Sequence, residues 1–230
     1  MKVGVIMPVK YLDMLESAIS RFVDQTYQDK VLCIVLDSEV RNHYPHEILD
    51  PSKYKGQEVR VIILDGNEPE TIGYKRNKAA AELSDCPILS HMDTDDWYHP
   101  DWLKLSIEFL QKASEQMKYI TGLNTCLFFQ APMDLYKYHH DYSGSNQYVI
   151  EASMTYYHSM WREHNFPNKM VGEGETFCAS HYGKVLPHPY HDKMIAMLHT
   201  RNTSGNANLQ SPSFTKLGTP DWGKILRDGT

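Results

Sequence analysis

Short apolar runs rich in β-branched residues alternate with amphipathic segments through the first half of the chain. The first two runs predict strands over Val3–Pro8 and Val31–Asp37. Between them, apolar residues recur every three to four positions, as on the buried face of a helix, at Leu12, Leu15, Ile19, Phe22 and Val23. A strand, a helix and a second strand at this spacing form a βαβ unit, with parallel strands and a right-handed crossover. This pattern predicts a layered α/β fold around a parallel sheet.

The same alternation continues as far as residue 117. The residues predict a third strand over Val59–Leu64, a helix over Gly73–Leu83 and a fourth strand over Ile88–Met92. A further helix is predicted from Pro100, because proline is favoured at the first helical position and apolar residues follow at helical spacing. We therefore expect a Rossmann-like, mostly parallel sheet with helices on both faces. In such sheets, ligands bind beyond the carboxyl ends of the strands.

The second half of the chain has a weaker pattern. Its apolar runs predict one or two strands within 119–129 and one strand each within 149–157 and 193–199. A short helix is predicted within 159–164. The polar and aromatic stretch over 132–147 is typical of a loop or flap. The last residues, 205–230, are rich in Gly, Ser, Asn, Thr and Pro, and they predict an irregular tail.

Length and composition are those of an ordinary soluble domain. A chain of 230 residues buries one sizeable core, and no apolar run reaches the roughly 18–20 residues that a transmembrane helix needs. The four cysteines lack the paired spacing of a zinc site or a disulfide framework, which favours a reducing compartment. A net charge of −6 indicates no general affinity for nucleic acid. These features predict a soluble, cytoplasmic protein without a membrane span.

Three carboxylates follow the fourth predicted strand within four positions, at Asp93, Asp95 and Asp96. Acidic side chains this close together repel one another unless a cation lies among them. Mg²⁺ and Mn²⁺ prefer oxygen ligands, and Mg²⁺ completes its shell with water and substrate phosphates. An acidic cluster at a strand end therefore indicates a site for a metal ion and a diphosphate. The alternative is a solvated acidic turn that caps the next helix.

Several segments resemble family 2 glycosyltransferases, which have the GT-A fold. The segment Asp93–Leu103 resembles the D-x-D-D segment of that family. Three earlier segments resemble its opening strand, its first helix with the Q-T-Y exit and its G-x-x-x-A/R-N-x-G/A segment, at Val3–Val9, Ala18–Tyr27 and Gly73–Ala79. The resemblance implies a single domain over 1–230, with a nucleotide-sugar-binding half at 1–117, an acceptor-binding and catalytic half at 118–204, and the irregular tail at 205–230.

The resemblance implies a donor-binding role for residues near the predicted strand ends. Asp37 ends the second predicted strand, where the family has an Asp that hydrogen-bonds the nucleobase, although this chain has one acidic residue fewer there than many members. The cations of the helix over Gly73–Leu83 are placed beside the nucleotide, since arginine binds phosphate well. An ordinary solvated helix face is the alternative for these cations. The implied donor-binding residues are Pro8, Val9, Asp37, Lys75, Arg76, Asp93 and Thr94.

The resemblance also implies a site for Mn²⁺ or Mg²⁺ at Asp93, Asp95, Asp96 and His199. Asp93 is assigned to the ribose or to the metal shell, and the choice between Asp95 and Asp96 as the direct ligand stays open. The segment His199–Ser204 resembles the family's H-x-x-N-x-S segment, whose His can complete the coordination of the metal. A single histidine after an apolar strand otherwise has a structural role.

The segment Gly172–Phe177 resembles the G-E-D-x-x-F segment that supplies the family's catalytic base. Gly174 stands where the family has Asp, so the resemblance implies either Glu173 or Glu175 as the base. A carboxylate is required because the acceptor hydroxyl loses a proton as it attacks. The alternative is a helix N-terminus whose acidic residues suit the helix dipole.

These observations predict a metal-dependent glycosyltransferase that moves a sugar from a nucleoside-diphosphate sugar to an acceptor hydroxyl with inversion. A UDP-sugar is the favoured donor. The acceptor is a saccharide or a glycoconjugate, or else a modified base of viral DNA, against which the acidic charge balance argues. A catalytically silent nucleotide-sugar-binding protein is the rival, because the G-E-D segment is incomplete. A sugar nucleotidyltransferase is less well supported, since the N-terminal Gly-rich phosphate loop of those enzymes is missing.

Overall fold

The structure is a computed structural model that describes residues 1–42, 54, 56–130, 134–202 and 208–221. In these residues the strands are β1 (Val3–Val9), β2 (Lys30–Leu36), β3 (Glu58–Ile63), β4 (Ile88–His91), β5 (Trp97–Tyr98), β6 (Ile120–Gly122), β7 (Thr125–Gln130), β8 (Asp134–His139), β9 (Thr155–Tyr157), β10 (Val185–Pro187), β11 (Met194–Leu198) and β12 (Phe214–Gly218). The α-helices are α1 (Leu15–Val23), α2 (Ile72–Glu82), α3 (Trp102–Ser114), α4 (His158–Glu163) and α5 (Glu173–Ser180). None of the described helices combines the length and the apolar character that a bilayer crossing requires.

The larger sheet has the strand order β10-β6-β9-β4-β1-β2-β3. Strand β1 lies parallel to both β2 and β4, and β2 lies parallel to β3. Strand β9 runs antiparallel between β4 and β6. Because β2 and β3 extend the sheet on one side of β1 and β4 lies on its other side, the order of the strands reverses between β1 and β4. Ligands of open α/β sheets bind outside the carboxyl ends of the strands at such a switch point.

Helices cover both faces of the larger sheet. Since successive side chains of a strand point to opposite faces, β1 contributes to an apolar cluster on each face. In β1, Val3, Val5 and Met7 belong to an apolar cluster that also contains residues of α1 and α3. Ile6 belongs to a second cluster, which contains residues of α2 and α5. Burial on both faces explains why β1 and β2 are continuous apolar runs rather than alternating ones.

The smaller sheet has the strand order β12-β8-β7-β11-β5. Strand β5 follows the acidic segment directly and pairs antiparallel with β11, which lies parallel to β7. This pairing brings the residue after β11, His199, next to the acidic segment. In the sequence, 104 positions separate Asp95 from His199.

The predicted α/β fold with a parallel-rich sheet is confirmed, but two predictions about irregular regions are wrong. The stretch over 132–147 contains β8, which pairs with β7 and with β12. The tail over 205–230 contains β12, although 203–207 and 222–230 lie outside the described residues. Aromatic packing accounts for both strands, because the ring of Tyr138 contacts the rings of Phe128 and Phe214 across the sheet.

Two predicted boundaries also differ from the structure. The helix predicted from Pro100 begins at Trp102, because the Trp102 N–H first closes a turn onto the carbonyl oxygen of His99. The strand predicted within 149–157 is limited to β9, and the three residues Glu151–Ser153 before it form a 3₁₀ turn. This turn lies beside the carboxyl end of β4, where the Met154 carbonyl oxygen accepts from the His91 N–H at 2.8 Å.

Candidate active site

A cavity of about 250 Å³ lies at the carboxyl ends of β1 and β4, at the switch point of the larger sheet. Segments from both halves of the chain form its walls. The residues that the sequence predicts to be functional and that line this cavity are Pro8, Arg76, Asp93, Thr94, Asp95, Asp96, Glu173 and His199. The fold therefore brings most of the predicted site residues into one place.

Asp95 and His199 face each other in the cavity. The Asp95 Oδ2 atom lies 3.0 Å from His199 Nε2, and both side chains are about one-quarter exposed, at 25% and 23%. His199 Nδ1 accepts a hydrogen bond from the backbone N–H of Arg201 at 3.1 Å. The side chain of Asn202 donates to the same Asp95 oxygen at 3.2 Å. Residues from both sides of the cavity thus converge on one carboxylate oxygen.

The other two carboxylates of the acidic segment have different partners. Asp96 is buried, and its Oδ1 accepts from the Met197 N–H at 3.0 Å, which joins the segment to β11. Burial, reinforced by the charge of Asp95, raises the pKa of Asp96 well above its usual range. Asp93 lies 3.4 Å from Arg76 Nη2. Burial raises the pKa of Asp93 to about 6, although Arg76 opposes this shift.

Arg76, on α2, is a buried cation at the inner end of the cavity, with 1% of its surface exposed. Its Nη1 donates to His91 Nδ1 at 2.5 Å and to the carbonyl oxygen of Glu151 at 3.2 Å. Burial and the charge of Arg76 hold the pKa of His91 well below its usual range. The Arg76 Nε atom lies 3.5 Å from Glu173 Oε1. Arg76 therefore connects the acidic segment with the first turn of α5.

Close contacts with α2 place the first turn of α5 at the cavity. A Cβ atom at Gly73 would lie 1.9 Å from the carbonyl oxygen of Pro167, so only glycine lets the segment before α5 approach the helix this closely. The Asn77 side chain donates to the Phe166 carbonyl oxygen at 2.8 Å and accepts from the Phe166 N–H at 3.0 Å. As a result Glu173 is buried against α2 and reaches the cavity.

A comparison with sequence families agrees with this architecture. The sequence model described as glycosyl transferase family 2 matches residues 5–121, just over half of the 230-residue chain. The chain belongs to glycosyltransferase family 2. No curated protein sequence matches the chain.

Solved glycosyltransferase structures resemble this family 2 glycosyltransferase in fold. One is S. aureus TarS 1–349 in complex with UDP-GlcNAc, with a TM-score of 0.61 and 15% identity over 90% of this chain and 62% of that chain. Another is the mannosyltransferase PcManGT from Pyrobaculum calidifontis in complex with GDP-Man and Mn²⁺, with a TM-score of 0.61 and 12% identity over 88% of this chain and 58% of that chain. The chain thus spans about three-fifths of the length of these two proteins. At this identity the likeness shows the GT-A-type fold alone.

Three predicted donor-binding residues of this family 2 glycosyltransferase, Val9, Asp37 and Lys75, do not line the cavity. Lys75 Nζ lies 2.5 Å from Asp37 Oδ1 and donates to the Val9 carbonyl oxygen at 2.7 Å. Burial raises the pKa of Asp37 and lowers that of Lys75. The solvated helix face considered for Lys75 and Arg76 is wrong, because both side chains are 1% exposed. A direct contact of Val9, Asp37 or Lys75 with the donor stays a prediction.

The two predicted glutamates differ, since Glu175 is exposed on α5 and does not line the cavity. The sequence interpretation also missed five charged or aromatic lining residues, which are Lys10, Tyr11, Phe128, Glu151 and Arg201. Lys10, Tyr11 and Arg201 lie within two residues of a predicted site residue, and this closeness in the sequence could have indicated them. Glu151 had no such signal, because its 3₁₀ turn is outside every segment that resembles the family.

The cavity offers a pair of metal-ligand side chains rather than a complete cage. Among the described residues, no group of three or more His, Cys, Asp or Glu side chains is arranged to hold a metal ion. Asp95 and His199 are instead the two that face each other at hydrogen-bonding distance inside the cavity. Any ion held there would need the rest of its ligands from water or substrate.

Proposed function

We propose that this family 2 glycosyltransferase transfers a sugar from a nucleoside-diphosphate sugar to an acceptor hydroxyl with the help of Mn²⁺ or Mg²⁺. The observation that carries this proposal is the Asp95–His199 pair, whose facing atoms are 3.0 Å apart in the cavity at the switch point of the sheet. The pair lies at the switch point, which is where α/β proteins bind their small-molecule substrates.

The residues present fit a divalent ion. Asp95 offers a carboxylate oxygen and His199 an imidazole nitrogen, and both side chains are partly exposed. Mg²⁺ binds few protein carboxylates and completes its shell with water and substrate phosphates, so a pair of protein ligands suffices. Asp96 is less suited to this role, because its Oδ1 already accepts from the backbone of β11. A bound ion would neutralise the charge that develops on the diphosphate leaving group.

Residues around the cavity also suit a nucleoside-diphosphate sugar. The cations Lys10 and Arg201 line it, and arginine binds phosphate with parallel hydrogen bonds. We assign direct donor contacts to Pro8, Asp93 and Thr94, which line the cavity, and a supporting role to the buried Lys75–Asp37 pair. The similar structures include TarS with UDP and with UDP-GlcNAc, and PcManGT with GDP-Man and Mn²⁺. Two of these three contain uridine nucleotides, which supports a UDP-sugar.

The transfer step places the two substrates on opposite sides of the anomeric carbon. The acceptor oxygen attacks this carbon opposite the diphosphate, and the bond to the diphosphate breaks with its electron pair leaving on the diphosphate, so the configuration inverts. A carboxylate of the cavity takes the hydroxyl proton. Of the two glutamates predicted for this role, Glu173 lines the cavity and Glu175 does not. We propose that residues 1–117, together with His199 and Arg201, bind the donor and its metal ion, and that the rest of 118–204 binds a saccharide or glycoconjugate acceptor.

Thermal denaturation with and without Mn²⁺ tests donor binding. UDP-sugars should raise the melting temperature more with Mn²⁺ than without it, because a ligand of the folded state stabilises that state. Asp95→Ala should remove the Mn²⁺-dependent part of this rise and leave the fold intact. The matched control is Asp101→Ala, a carboxylate of the same region whose side chain is 43% exposed and accepts from the Thr26 hydroxyl. A full Mn²⁺-dependent rise in Asp95→Ala would contradict the metal assignment.

Release of the nucleoside diphosphate separates a transferase from a silent binder. The wild-type protein should release UDP from a bound UDP-sugar when a saccharide acceptor is present, and slowly when water is the only acceptor. Binding that is never followed by release, with water or with any acceptor, would contradict the enzymatic proposal and favour a binding protein.

A further inference from the structure

Position 174, in the first turn of α5, is a glycine, and the structure leaves no room for a side chain there. A Cβ atom at Gly174 would lie 2.0 Å from Glu151 Cγ, 3.0 Å from Glu151 Cβ and 3.0 Å from Met154 Cε. Real Cβ atoms do not approach other carbons to 2.0 Å, so any side chain at this position would have to displace Glu151. The space in which an aspartate at this position would begin is therefore filled by the side chain of Glu151.

The backbone of Glu151 is fixed at the inner end of the cavity. It begins the 3₁₀ turn Glu151–Ser153 that precedes β9. Its carbonyl oxygen accepts from Arg76 Nη1 at 3.2 Å, and it lies 2.7 Å from His91 Nδ1. Its side chain lines the cavity together with that of Glu173. Glu151 is thus held by the same buried arginine that contacts the acidic segment and α5.

The two cavity glutamates differ in how available their carboxylates are for a proton. Glu173 is 3% exposed, and its Oε1 lies 3.5 Å from Arg76 Nε. In the part of the chain that the structure describes, the Glu151 carboxylate has no ion pair within 4 Å, and its side chain is only partly buried. Burial, and then the charge of Glu173, raise the pKa of Glu151. A raised pKa suits a general base, because proton transfer is most effective when the pKa lies near the working pH.

We infer that Glu151 supplies the catalytic carboxylate that the segment Gly172–Phe177 lacks at position 174, and that it acts as the general base. This inference rests on the proposed glycosyl transfer. The acceptor O–H bond breaks as its proton passes to a Glu151 carboxylate oxygen. The acceptor oxygen forms a bond to the anomeric carbon, and the electron pair of the broken C–O bond leaves with the nucleoside diphosphate. Glu173 is a positioning residue, which holds Arg76 between α5 and the acidic segment.

Glutamine variants separate these two roles. Glu151→Gln keeps the shape and removes the proton acceptor, so transfer should fall by about 10²- to 10⁴-fold while the affinity for the donor stays within about threefold. Glu173→Gln should lose less transfer activity. The control is Glu108→Gln, an exposed glutamate on α3. Near-normal transfer in Glu151→Gln, with a large loss in Glu173→Gln, would overturn the inference and leave the proposed function in place.

The pH profile gives a readout that a purely structural role would not change. A general base acts when deprotonated, so wild-type transfer should decline as the pH falls through the raised pKa of Glu151. The charged groups around it are Arg76 on α2, Glu173 and Glu175 on α5, and Asp93 of the acidic segment. This acidic decline should persist in Glu173→Gln, at a lower pH because the charge of Glu173 no longer raises the pKa of Glu151, and it should disappear in Glu151→Gln. A decline that disappears in Glu173→Gln instead would overturn the inference.

Moving the carboxylate from one position to the other tests the spatial substitution directly. Gly174→Asp alone should lower the melting temperature, because the new side chain clashes with Glu151. Glu151→Gly opens this space and should abolish transfer. In the double variant the aspartate fits. Its melting temperature should therefore be higher than that of Gly174→Asp, and its transfer activity should be higher than that of Glu151→Gly. A double variant no more stable than Gly174→Asp would overturn the inference without any measurement of activity.

A wild-type control distinguishes failure of this inference from failure of the proposed function. Wild-type protein that binds no nucleoside-diphosphate sugar, with or without Mn²⁺, would overturn the proposed function. Wild-type protein that binds the donor but neither transfers nor hydrolyses it would overturn the proposed transfer and, with it, the catalytic role of Glu151. Wild-type activity combined with an active Glu151→Gln variant would overturn the inference alone.

Discussion

The acidic segment and the first turn of α5 both carry carboxylates that the sequence predicts to be functional, but the structure uses them differently. Every carboxylate of the segment Asp93–Asp96 lines the cavity. In α5, Glu173 lines the cavity and Glu175 is exposed. The space beside Gly174 is filled by Glu151 from a different part of the chain.

The difference follows from how each region is held. The acidic segment leaves β4 and enters β5, so both of its ends are fixed by strands of the two sheets. Where each side chain of the acidic segment lies is therefore decided by its distance along the chain from these two strands. The first turn of α5 is instead docked onto α2 through Gly73 and Asn77. Which of its side chains reach the cavity therefore depends on residues that are far away in the sequence.

The largest expected effect is on stability and comes from Arg76, which connects the two regions. Arg76→Ala leaves Asp93 and Glu173 without their buried cation, and breaking a buried ion pair from one side costs about 3–5 kcal/mol. Urea denaturation should show a decrease of this size in the free energy of unfolding. Arg76→Lys, which keeps the charge without the planar fork, should lose less.

A surface variant provides the comparison for Arg76. Lys184→Ala removes an ion pair with Glu163 in which both side chains are at least one-third exposed, at 33% and 44%. Exposed pairs of this kind contribute little to stability, so its unfolding midpoint should hardly change. If Arg76→Ala were as mild as Lys184→Ala, the acidic segment and α5 would be held independently of each other.

The strand ends could be predicted from the sequence because they depend on local patterns. Apolar runs located β1, β2 and β4 to within about one residue, and a strand end fixes the direction in which the next residues leave the sheet. The contacts of Arg76 and Lys75 could not be predicted in this way. Their burial is a property of how α2 packs against neighbouring strands and α5, and charged helix residues are usually exposed.

Glu151 was beyond the reach of sequence patterns for the same reason. Its role depends on the missing side chain of Gly174, 23 positions later, and neither residue is unusual in its own segment. His199 lies between these cases. Its segment resembles the family, but its contact with Asp95 exists only because β11 pairs with β5.

An intermediate effect is expected for His199, which belongs to the second half of the chain but contacts the acidic segment. His199→Ala should weaken Mn²⁺-dependent donor binding by roughly 10- to 100-fold, the range found when groups that support a metal site are removed. Calorimetric titration with UDP, with and without Mn²⁺, measures this. His164→Ala is the control, because His164 is exposed and does not line the cavity. Unchanged Mn²⁺-dependent binding in His199→Ala would show that the acidic segment forms the metal site without the second half of the chain.

The smallest effect is expected for Glu175→Gln, and it tests the comparison between the two regions most directly. Glu175 was as strong a candidate as Glu173 from the sequence alone, since both are acidic residues in the first turn of α5. The structure leaves its side chain exposed and outside the cavity. A surface substitution of this kind changes stability by no more than about 0.5 kcal/mol, and transfer should stay within about twofold of wild type. A tenfold or larger loss of transfer, with donor binding intact, would show that this turn supplies its own catalytic carboxylate, as the acidic segment supplies its own metal ligand. The contrast between a locally determined strand end and a helix that depends on distant residues would then be lost.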